Sequence, residues 1–210
     1  FRSTGLEAQV GVMWARVTVR GEAAHAQRAD QAVNAILKAY PLMEAAKELE
    51  ERVNSPEHYI PQFEGNPHPL NYNIGIVQGG DWASSVPEEC TFEVRVSAYP
   101  GEDLEEIQQR FKSHLSEASR NDPWLSENPP EISFYAFRAE GCTVDREEPI
   151  FASLQRCHRA LRRRTWNFSP SQGQRTSGSL TFTGVPRPLA TDRPAPSSTP
   201  RTSGWTLGAS

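Results

Sequence analysis

The chain has few cysteines and no long apolar run. None of its apolar stretches approaches the ~18 residues that a bilayer span needs, and residues 1–10 lack the charged and apolar regions of a secretory signal. Its three cysteines, Cys90, Cys142 and Cys157, are too far apart for a C-x-x-C zinc pair. We therefore expect no membrane partner, no zinc site built from cysteines, and a location in the reducing cytoplasm.

The chain also lacks an excess of basic residues. It carries 22 Lys and Arg against 26 Asp and Glu, which gives a net charge of -4. Binding to a phosphate backbone needs a concentrated basic face, and no aromatic strand of the type used by RNA-binding sheets is present. The composition therefore argues against a nucleic-acid partner.

A strand-to-helix connection near the start of the chain carries one histidine. Val17 and Val19 alternate with polar residues as in a half-buried strand, and an apolar-periodic helix follows. Between them lies Gly-Glu-Ala-Ala-His-Ala, in which small neighbours leave the imidazole of His25 free to reach another group. Without further context, the sequence favours a surface histidine that has no task over a functional one at His25.

A second motif lies further along the chain. Asn73 opens an Asn-x-Gly strand that leads into Gly79-Gly80, then into Ser85-Val86-Pro87 and a strand that carries Arg95. The two glycines indicate a tight turn or a close backbone approach. Arg95 is suited to binding a carboxylate through two hydrogen bonds, or equally to pairing with Glu93 or with an acid on a neighbouring strand. Asn73 could bind a substrate or satisfy a strand-end backbone group.

Together, the two motifs resemble the lid or dimerisation domain of one enzyme family. This family contains acetylornithine deacetylase, succinyl-diaminopimelate desuccinylase, carboxypeptidase G and aminoacylase, which are zinc-dependent amide hydrolases. The resemblance covers about Val10 to Phe137, with one departure: Ser85 stands where the family commonly has Asn. A hydroxyl offers one donor where an amide offers two.

The resemblance implies an enzyme that uses zinc or cobalt to hydrolyse a small N-acylated amino acid. It implies a homodimer joined through the lid sheets, in which His25 reaches the partner's site as the catalytic residue. Five residues would contact substrate: Arg95, Asn73, Ser85, Gly79 and Gly80. The family's metal ligands come from a catalytic domain split around the lid, and no metal ligand is recognised here. We therefore expect the chain alone to be inactive; the alternative is a stand-alone dimerisation module without catalysis.

The periodicity predicts an α+β fold with the order β-α-β-β-α-β, which is a ferredoxin-like, four-stranded antiparallel sheet with both helices on one face. Strands are expected at 10–20, 71–78, 91–98 and 131–137, and helices at 31–54, from Asp103 onward, and at 150–161. Pro41 predicts a kink or break near Tyr40. Residues 122–130 are expected to form a loop.

The chain divides into four segments. Residues 1–9 are expected to be a linker from a missing catalytic half, 10–138 the lid domain, and 139–164 the start of a returning catalytic domain. Residues 165–210 contain 27 Pro, Ser, Thr or Gly among 46 residues, a composition typical of irregular chain.

This tail admits a sharper hypothesis. If the reading frame of the coding DNA is moved back by one base, the codons of two stretches can encode other amino-acid sequences. Those sequences, at Arg175 to Asp192 and at Ser198 to Gly208, resemble the family's Thr-Asp-x-Arg-Phe and His-x-x-Asp-Glu catalytic motifs. We therefore hypothesise a frameshift near Arg162 to Arg164. A natural Pro/Ser/Thr-rich linker is the alternative, and sequencing of the coding DNA decides between them.

Overall fold

The computed structural model describes residues 4–162 and 167–171. The strands are β1 (Thr4–Gln9), β2 (Gly11–Arg20), β3 (Ala24–His25), β4 (Asn73–Gly79), β5 (Ser85–Val86), β6 (Glu89–Ala98), β7 (Glu131–Ala139), β8 (Cys142–Thr143) and β9 (Asn167–Ser171). The helices are α1 (Ala35–Val53), α2 (Leu104–Ser119), α3 (Pro123–Glu127) and α4 (Pro149–Arg162), with short 3-10 turns at Ala26–Gln31, Pro56–His58 and Pro61–Phe63.

The main sheet has the predicted ferredoxin-like topology. Its strand order is β4-β6-β2-β7, and each neighbouring pair is antiparallel. The two central strands, β2 and β6, pair along their whole lengths from Gly11↔Ala98 to Arg20↔Glu89. Strands β4 and β7 therefore form the two edges of the sheet.

One face of the sheet packs against the helices. On β2 this face is fully buried through Met13, Ala15, Val17 and Val19, because side chains alternate along a strand. Helix α2 contributes Leu104, Ile107, Phe111 and Leu115 to the same core, and the ring of Phe111 lies 5.9 Å from that of Phe134 on β7. The opposite face of the sheet carries polar and aromatic side chains and is covered by neither helix.

Helix α1 runs through Pro41 without a break, so of the kink or break expected near Tyr40 the break is wrong. The helix also begins later than predicted, at Ala35, where the Oδ1 atom of Asn34 accepts hydrogen bonds from the amides of Ile36 and Leu37 at 3.0 and 3.2 Å. Proline removes one backbone donor, which leaves the carbonyl four residues earlier without its helical partner. That residue, Leu37, is 62% exposed, so solvent can satisfy its carbonyl.

The segment expected to be a loop at 122–130 contains the short helix α3. Asp122 caps this helix by accepting hydrogen bonds from the amides of Trp124 and Leu125 at 2.9 and 3.0 Å. Pro123 occupies the first helical position, where its missing donor costs nothing. An Asp-Pro pair is typical of a turn, but it is equally typical of the start of a helix, which is what Asp122 and Pro123 form here.

A second, small sheet forms where the two ends of the described chain meet, in the order β8-β1-β9. Strand β1 pairs antiparallel with β8 and parallel with β9. Residues 167–171 form a strand within the tail that is expected to be largely irregular. The rest of the tail, with both strings of the frameshift hypothesis, lies outside the described residues, so that hypothesis stays a prediction.

Candidate functional site

His25 lies on a short strand that is held by the second motif. Strand β3 pairs antiparallel with β5, which places His25 opposite Ser85 and Ala24 opposite Val86. The amide of Ala26 also donates to the carbonyl of Ser84 at 2.9 Å. The structure therefore brings together two site residues that the sequence places in separate motifs.

The imidazole of His25 has one nitrogen committed to the backbone. Its Nδ1 atom accepts a hydrogen bond from the amide of Gln27 at 3.3 Å and thereby caps the following 3-10 turn. A neutral imidazole that accepts at Nδ1 carries its proton on Nε2. Because His25 is exposed, this Nε2–H group is available to donate a hydrogen bond to an oxygen outside the chain.

Trp82 was missed by the sequence analysis and lies beside the histidine. Its ring centroid is 6.2 Å from that of His25 in an edge-to-face arrangement. The side chain is 64% exposed, although tryptophan is one of the most buried residue types on average. A tryptophan between the Gly-Gly and Val-Pro elements was the signal that could have identified it.

Gly79 and Gly80 are required by the backbone path. Gly80 has a φ of +76°, a conformation that side chains disfavour. A Cβ atom on Gly79 would lie 3.0 Å from Cγ1 of Ile36 and 3.1 Å from the carbonyl oxygen of Glu89. Both glycines therefore shape the connection to Ser85, whose hydroxyl lies 3.3 Å from Oδ1 of Asp81 and 3.2 Å from the carbonyl of Trp82.

Arg95 and Asn73 form a second group of predicted site residues. They are direct partners in the pairing of β4 with β6, on the sheet face that neither helix covers. The Nη1 atom of Arg95 donates to the hydroxyl of Ser97 at 2.5 Å, and that hydroxyl donates to the carbonyl of Asn71 at 3.1 Å. Burial lowers the pKa of the Arg95 guanidinium, which still stays charged at neutral pH because arginine titrates far above it.

Glu93, the alternative partner proposed for Arg95, is held by two other residues. Arg16 donates to its Oε1 atom from Nε and Nη2 at 3.0 and 2.8 Å, and the hydroxyl of Tyr135 donates to Oε2. The hydrogen bonds from Tyr135 and Arg16 hold the pKa of Glu93 below its ordinary value. This network lies beside Arg95 on the uncovered face.

The two groups lie at different ends of the sheet. On β6, Gly79 is opposite Cys90 and Asn73 is opposite Arg95. Five residues of extended chain span about 16 Å. The structure therefore does not gather all six predicted residues into one site: His25, Ser85, Gly79 and Gly80 are at one end, and Arg95 and Asn73 at the other.

Neither a metal cluster nor a membrane span is found in the part of the chain that the structure describes. Residues 4–162 and 167–171 contain no group of three or more His, Cys, Asp or Glu that could hold a metal ion. Within the same residues, no helix has the length and apolar character that crossing a bilayer requires.

Residues 8–123 match the family model described as a peptidase dimerisation domain. This match includes β2, both motifs and the whole of α2. The chain belongs to this family. The match also agrees with the observed antiparallel sheet. Both groups of predicted site residues, the one with His25 and the one with Arg95, lie within the matched residues.

Among curated relatives, the dimerisation domain and its flanks are similar to hydrolases of amide bonds. The chain is 26% identical over 178 residues to N-formyl-4-amino-5-aminomethyl-2-methylpyrimidine deformylase of Halalkalibacterium halodurans, covering 77% of the chain and 39% of that protein. It is 27% identical over 121 residues to acetylornithine deacetylase of Myxococcus xanthus, covering 56% of the chain and 30% of that protein. The chain thus spans well under half of either relative.

Solved structures agree on the fold. A tripeptidase from Staphylococcus aureus aligns with a TM-score of 0.56 at 19% identity, covering 81% of this chain and 40% of that one. A di-peptidase from Saccharomyces cerevisiae aligns with a TM-score of 0.58 at 11% identity, covering 83% and 45%. At these identities, the likeness supports the fold alone.

Proposed function

We propose that this chain supplies the lid and the dimer interface of a metal-dependent hydrolase that cleaves the amide bond of small N-acylated amino acids. The observation that carries the proposal is the exposed Nε2–H group of His25, whose tautomer is fixed by the amide of Gln27. The deformylase and deacetylase relatives both remove an acyl group from nitrogen, as their names state. The chain alone is expected to be inactive.

His25 acts as a hydrogen-bond donor in this proposal. When an amide carbonyl is attacked, negative charge develops on its oxygen, and a positioned donor stabilises that charge by about 2.7–4 kcal/mol. The backbone pairing of His25 with Ser85 holds the donor in place without burying the ring. Trp82 would add an apolar surface beside the reacting group.

The separation of the two residue groups supports a shared site in a homodimer. Arg95 and Asn73 would bind the substrate carboxylate in one subunit's own site, through the guanidinium fork and the amide. His25 lies on the side of Gly79, whose partner on β6 is about 16 Å of strand away from Arg95, and it would serve the site of the other subunit. Each site would then be complete only in the dimer.

Strand β4 is the edge through which two lid sheets would join. Its residues Ile76 and Val77 are 45% and 51% exposed, and on the nearby helix α1 Leu37 and Tyr40 are 62% and 56% exposed. An edge strand presents unpaired backbone donors and acceptors, which a second copy of the same strand can satisfy. Both edge strands carry a register shift, but the other edge, β7, also has a positive φ at Ala136, so it is less suited to regular pairing.

The metal of such an enzyme, zinc or cobalt, does not fit the described residues. They contain no cluster of metal-ligating side chains, so other residues of the enzyme would hold the metal. The contribution of this chain is to position a donor, to bind a carboxylate and to form the dimer. The three free cysteines suit the reducing cytoplasm in which we place the enzyme.

Mixing subunits of the dimeric enzyme that carries this domain tests the proposal. One subunit carries His25→Ala, and the other is inactivated in its catalytic domain. If His25 serves the partner's site, a 1:1 mixture recovers about a quarter of the wild-type activity, because half the dimers are mixed and each holds one complete site. Failure to recover activity, with mixed dimers verified by mass spectrometry, would show that His25 does not act across the interface.

A further inference from the structure

Aromatic side chains lie beside Arg95 on the sheet face that neither helix covers. Asn73 is opposite Arg95 in the pairing of β4 with β6. Trp14, on β2, is opposite both Arg95 and Tyr135. Direct partners project from the same face of a sheet, with Cβ atoms about 4.5–5.5 Å apart. Trp14 is therefore an immediate neighbour of the arginine that would bind the substrate carboxylate.

Phe137 extends the aromatic surface that Trp14 begins. The centroids of the two rings are 6.3 Å apart, and the ring planes are inclined by 49°. Phe137 is 53% exposed and Trp14 is half-buried, so the pair presents apolar surface to solvent. Aromatic rings favour tilted and offset contacts with a further ring, so this surface is suited to an aromatic group of a ligand.

The backbone of β7 is distorted where it carries Phe137. The register shift between β2 and β7 leaves residues 136–138 opposite Met13 alone. Ala136, within this bulge, has a φ of +58°, a conformation that is uncommon for a residue with a side chain. Bulges redirect side chains and are frequent next to active sites. The bulge is therefore a second observation, independent of the exposed rings, that points to this part of the face.

A buried hydroxyl orients the guanidinium of Arg95 beside these rings. Ser97 is fully buried, and its hydroxyl accepts from Nη1 of Arg95 at 2.5 Å while donating to the carbonyl of Asn71 at 3.1 Å. The neighbouring acid, Glu93, has both carboxylate oxygens in hydrogen bonds to side chains of β2 and β7. One end of the guanidinium is thus fixed, and the acid next to it is bonded to other residues.

We propose that Trp14 and Phe137 bind the side chain of the substrate, and that the substrates are N-acylated amino acids with an aromatic side chain. In an α-amino acid, the carboxyl carbon and the first side-chain carbon are bonded to the same α-carbon. A carboxylate held by Arg95 therefore places the side chain at the neighbouring rings. The inference rests on the proposed function for the role of Arg95. Because all three residues belong to one chain, binding can be measured without hydrolysis.

NMR titration of the isotope-labelled full chain with three ligands tests the proposal. N-acetyl-L-phenylalanine has both groups, N-acetyl-L-alanine lacks the ring, and N-acetyl-L-phenylalaninamide lacks the carboxylate. We expect the first ligand to shift the indole N–H signal of Trp14 saturably, with a dissociation constant at least about fivefold lower than for the other two. Equal dissociation constants for the phenylalanine and alanine ligands, or an unshifted Trp14 signal, would overturn the proposal.

Variants of Phe137 locate the bound ring. Phe137→Ala removes an exposed ring and should weaken binding of N-acetyl-L-phenylalanine severalfold, while binding of N-acetyl-L-alanine stays the same. Phe137→Leu keeps an apolar side chain without a ring and should fall between wild type and Phe137→Ala. Ser133→Ala, at an exposed position of the same strand, is the control and should change neither affinity. Equal losses for both ligands in Phe137→Ala would mean that Phe137 supports the fold and does not bind the substrate.

Hydrolysis by the dimeric enzyme separates this inference from the proposed function. We expect kcat/KM for N-acetyl-L-phenylalanine to exceed that for N-acetyl-L-alanine by about tenfold or more, and Phe137→Ala to reduce this ratio. Selective binding of the aromatic ligand without hydrolysis of either would refute the proposed function and leave the aromatic subsite in place. Hydrolysis of both ligands with the same kcat/KM would refute the subsite and leave the proposed function in place.

Discussion

His25 and Ser85 lie directly opposite each other in the antiparallel pairing of β3 with β5. The backbone of this pair joins the two sequence motifs, while the imidazole projects from an exposed position. Altering the ring therefore leaves the strand pairing in place and removes one exposed capping hydrogen bond, from the amide of Gln27. This separation makes the role of His25 testable by substitution.

We expect His25→Ala to lower kcat of the dimeric enzyme by about 10²–10³-fold, the cost of removing one donor to an oxyanion. The free energy of unfolding should fall by no more than about 1 kcal/mol, the order of one exposed capping hydrogen bond. Steady-state kinetics and urea unfolding measure the two effects. Arg28→Ala, in the same connection, is the control and should change neither. An unaltered kcat in His25→Ala would disprove a catalytic role.

Arg95→Lys should raise KM for a substrate with a free carboxylate by about tenfold, because lysine cannot form the two parallel hydrogen bonds of a guanidinium fork. The same variant should leave KM unchanged for a substrate whose carboxylate is replaced by an amide. Arg16→Lys, on the same sheet face but paired with Glu93, is the control. Equal losses on both substrates would mean that Arg95 supports the fold and not the carboxylate.

Val77→Lys should weaken self-association, because it places a charge on the exposed apolar edge formed by β4. Sedimentation velocity over a range of concentrations should show a dimer for the wild type and a larger monomer fraction for the variant. Ser133→Lys adds the same charge to the opposite edge strand, β7, and should not alter association. Dimers that persist in Val77→Lys and dissociate in Ser133→Lys would assign the interface to β7.

The local patterns in the sequence were sufficient to predict the main sheet. Leu104, Ile107, Phe111 and Leu115 recur at helical spacing, and each of them is buried in α2. The order of strands and helices then restricted the chain to few possible folds, because a split β-α-β unit places both helices on one face of the sheet. The pairing of the two central strands followed from the same order.

Other features depend on contacts that no local pattern encodes. The register that places Asn73 opposite Arg95 depends on a shift between Ile74 and Ile76, and such a bulge leaves no clear sequence signal. The parallel pairing of β1 with β9 joins the two ends of the described chain.

Asp122 should contribute to stability through both a helix cap and an ion pair. It caps α3 and lies 2.7 Å from Nζ of Lys38. Burial would raise the pKa of Asp122, but the hydrogen bonds from Lys38, Leu125 and Trp124 outweigh it, so the pKa lies below its ordinary value. We expect Asp122→Ala to cost about 1–2 kcal/mol at pH 7. Asp122→Asn, which keeps a capping oxygen, should cost less than about 1 kcal/mol.

The stabilisation by the Asp122 carboxylate should depend on pH. A lowered pKa in the folded state means that this stabilisation is fully present above the unfolded value of about 3.9. It is lost as the pH falls through the lower folded value. Urea unfolding at pH 7 and at successively lower pH should show the difference between wild type and Asp122→Asn shrinking. Asp30→Asn is an exposed control, and a difference that grows towards low pH would contradict the assignment.

Asn54 should be among the most sensitive positions outside the apolar core, because its buried amide connects the end of α1 to the segment around Leu70. Its Nδ2 atom donates to the carbonyls of Glu50 and Leu70, both at 2.8 Å, and its Oδ1 atom accepts from the amide of Leu70 at 2.9 Å. Asn54→Ala leaves both backbone groups of Leu70 without these partners and should cost about 2–4 kcal/mol in urea unfolding. The Leu70 amide should also exchange with deuterium faster, whereas Asn121→Ala, at an exposed position, should affect neither measurement. If the two variants unfold alike, the hydrogen bonds of Asn54 do not hold this segment in place.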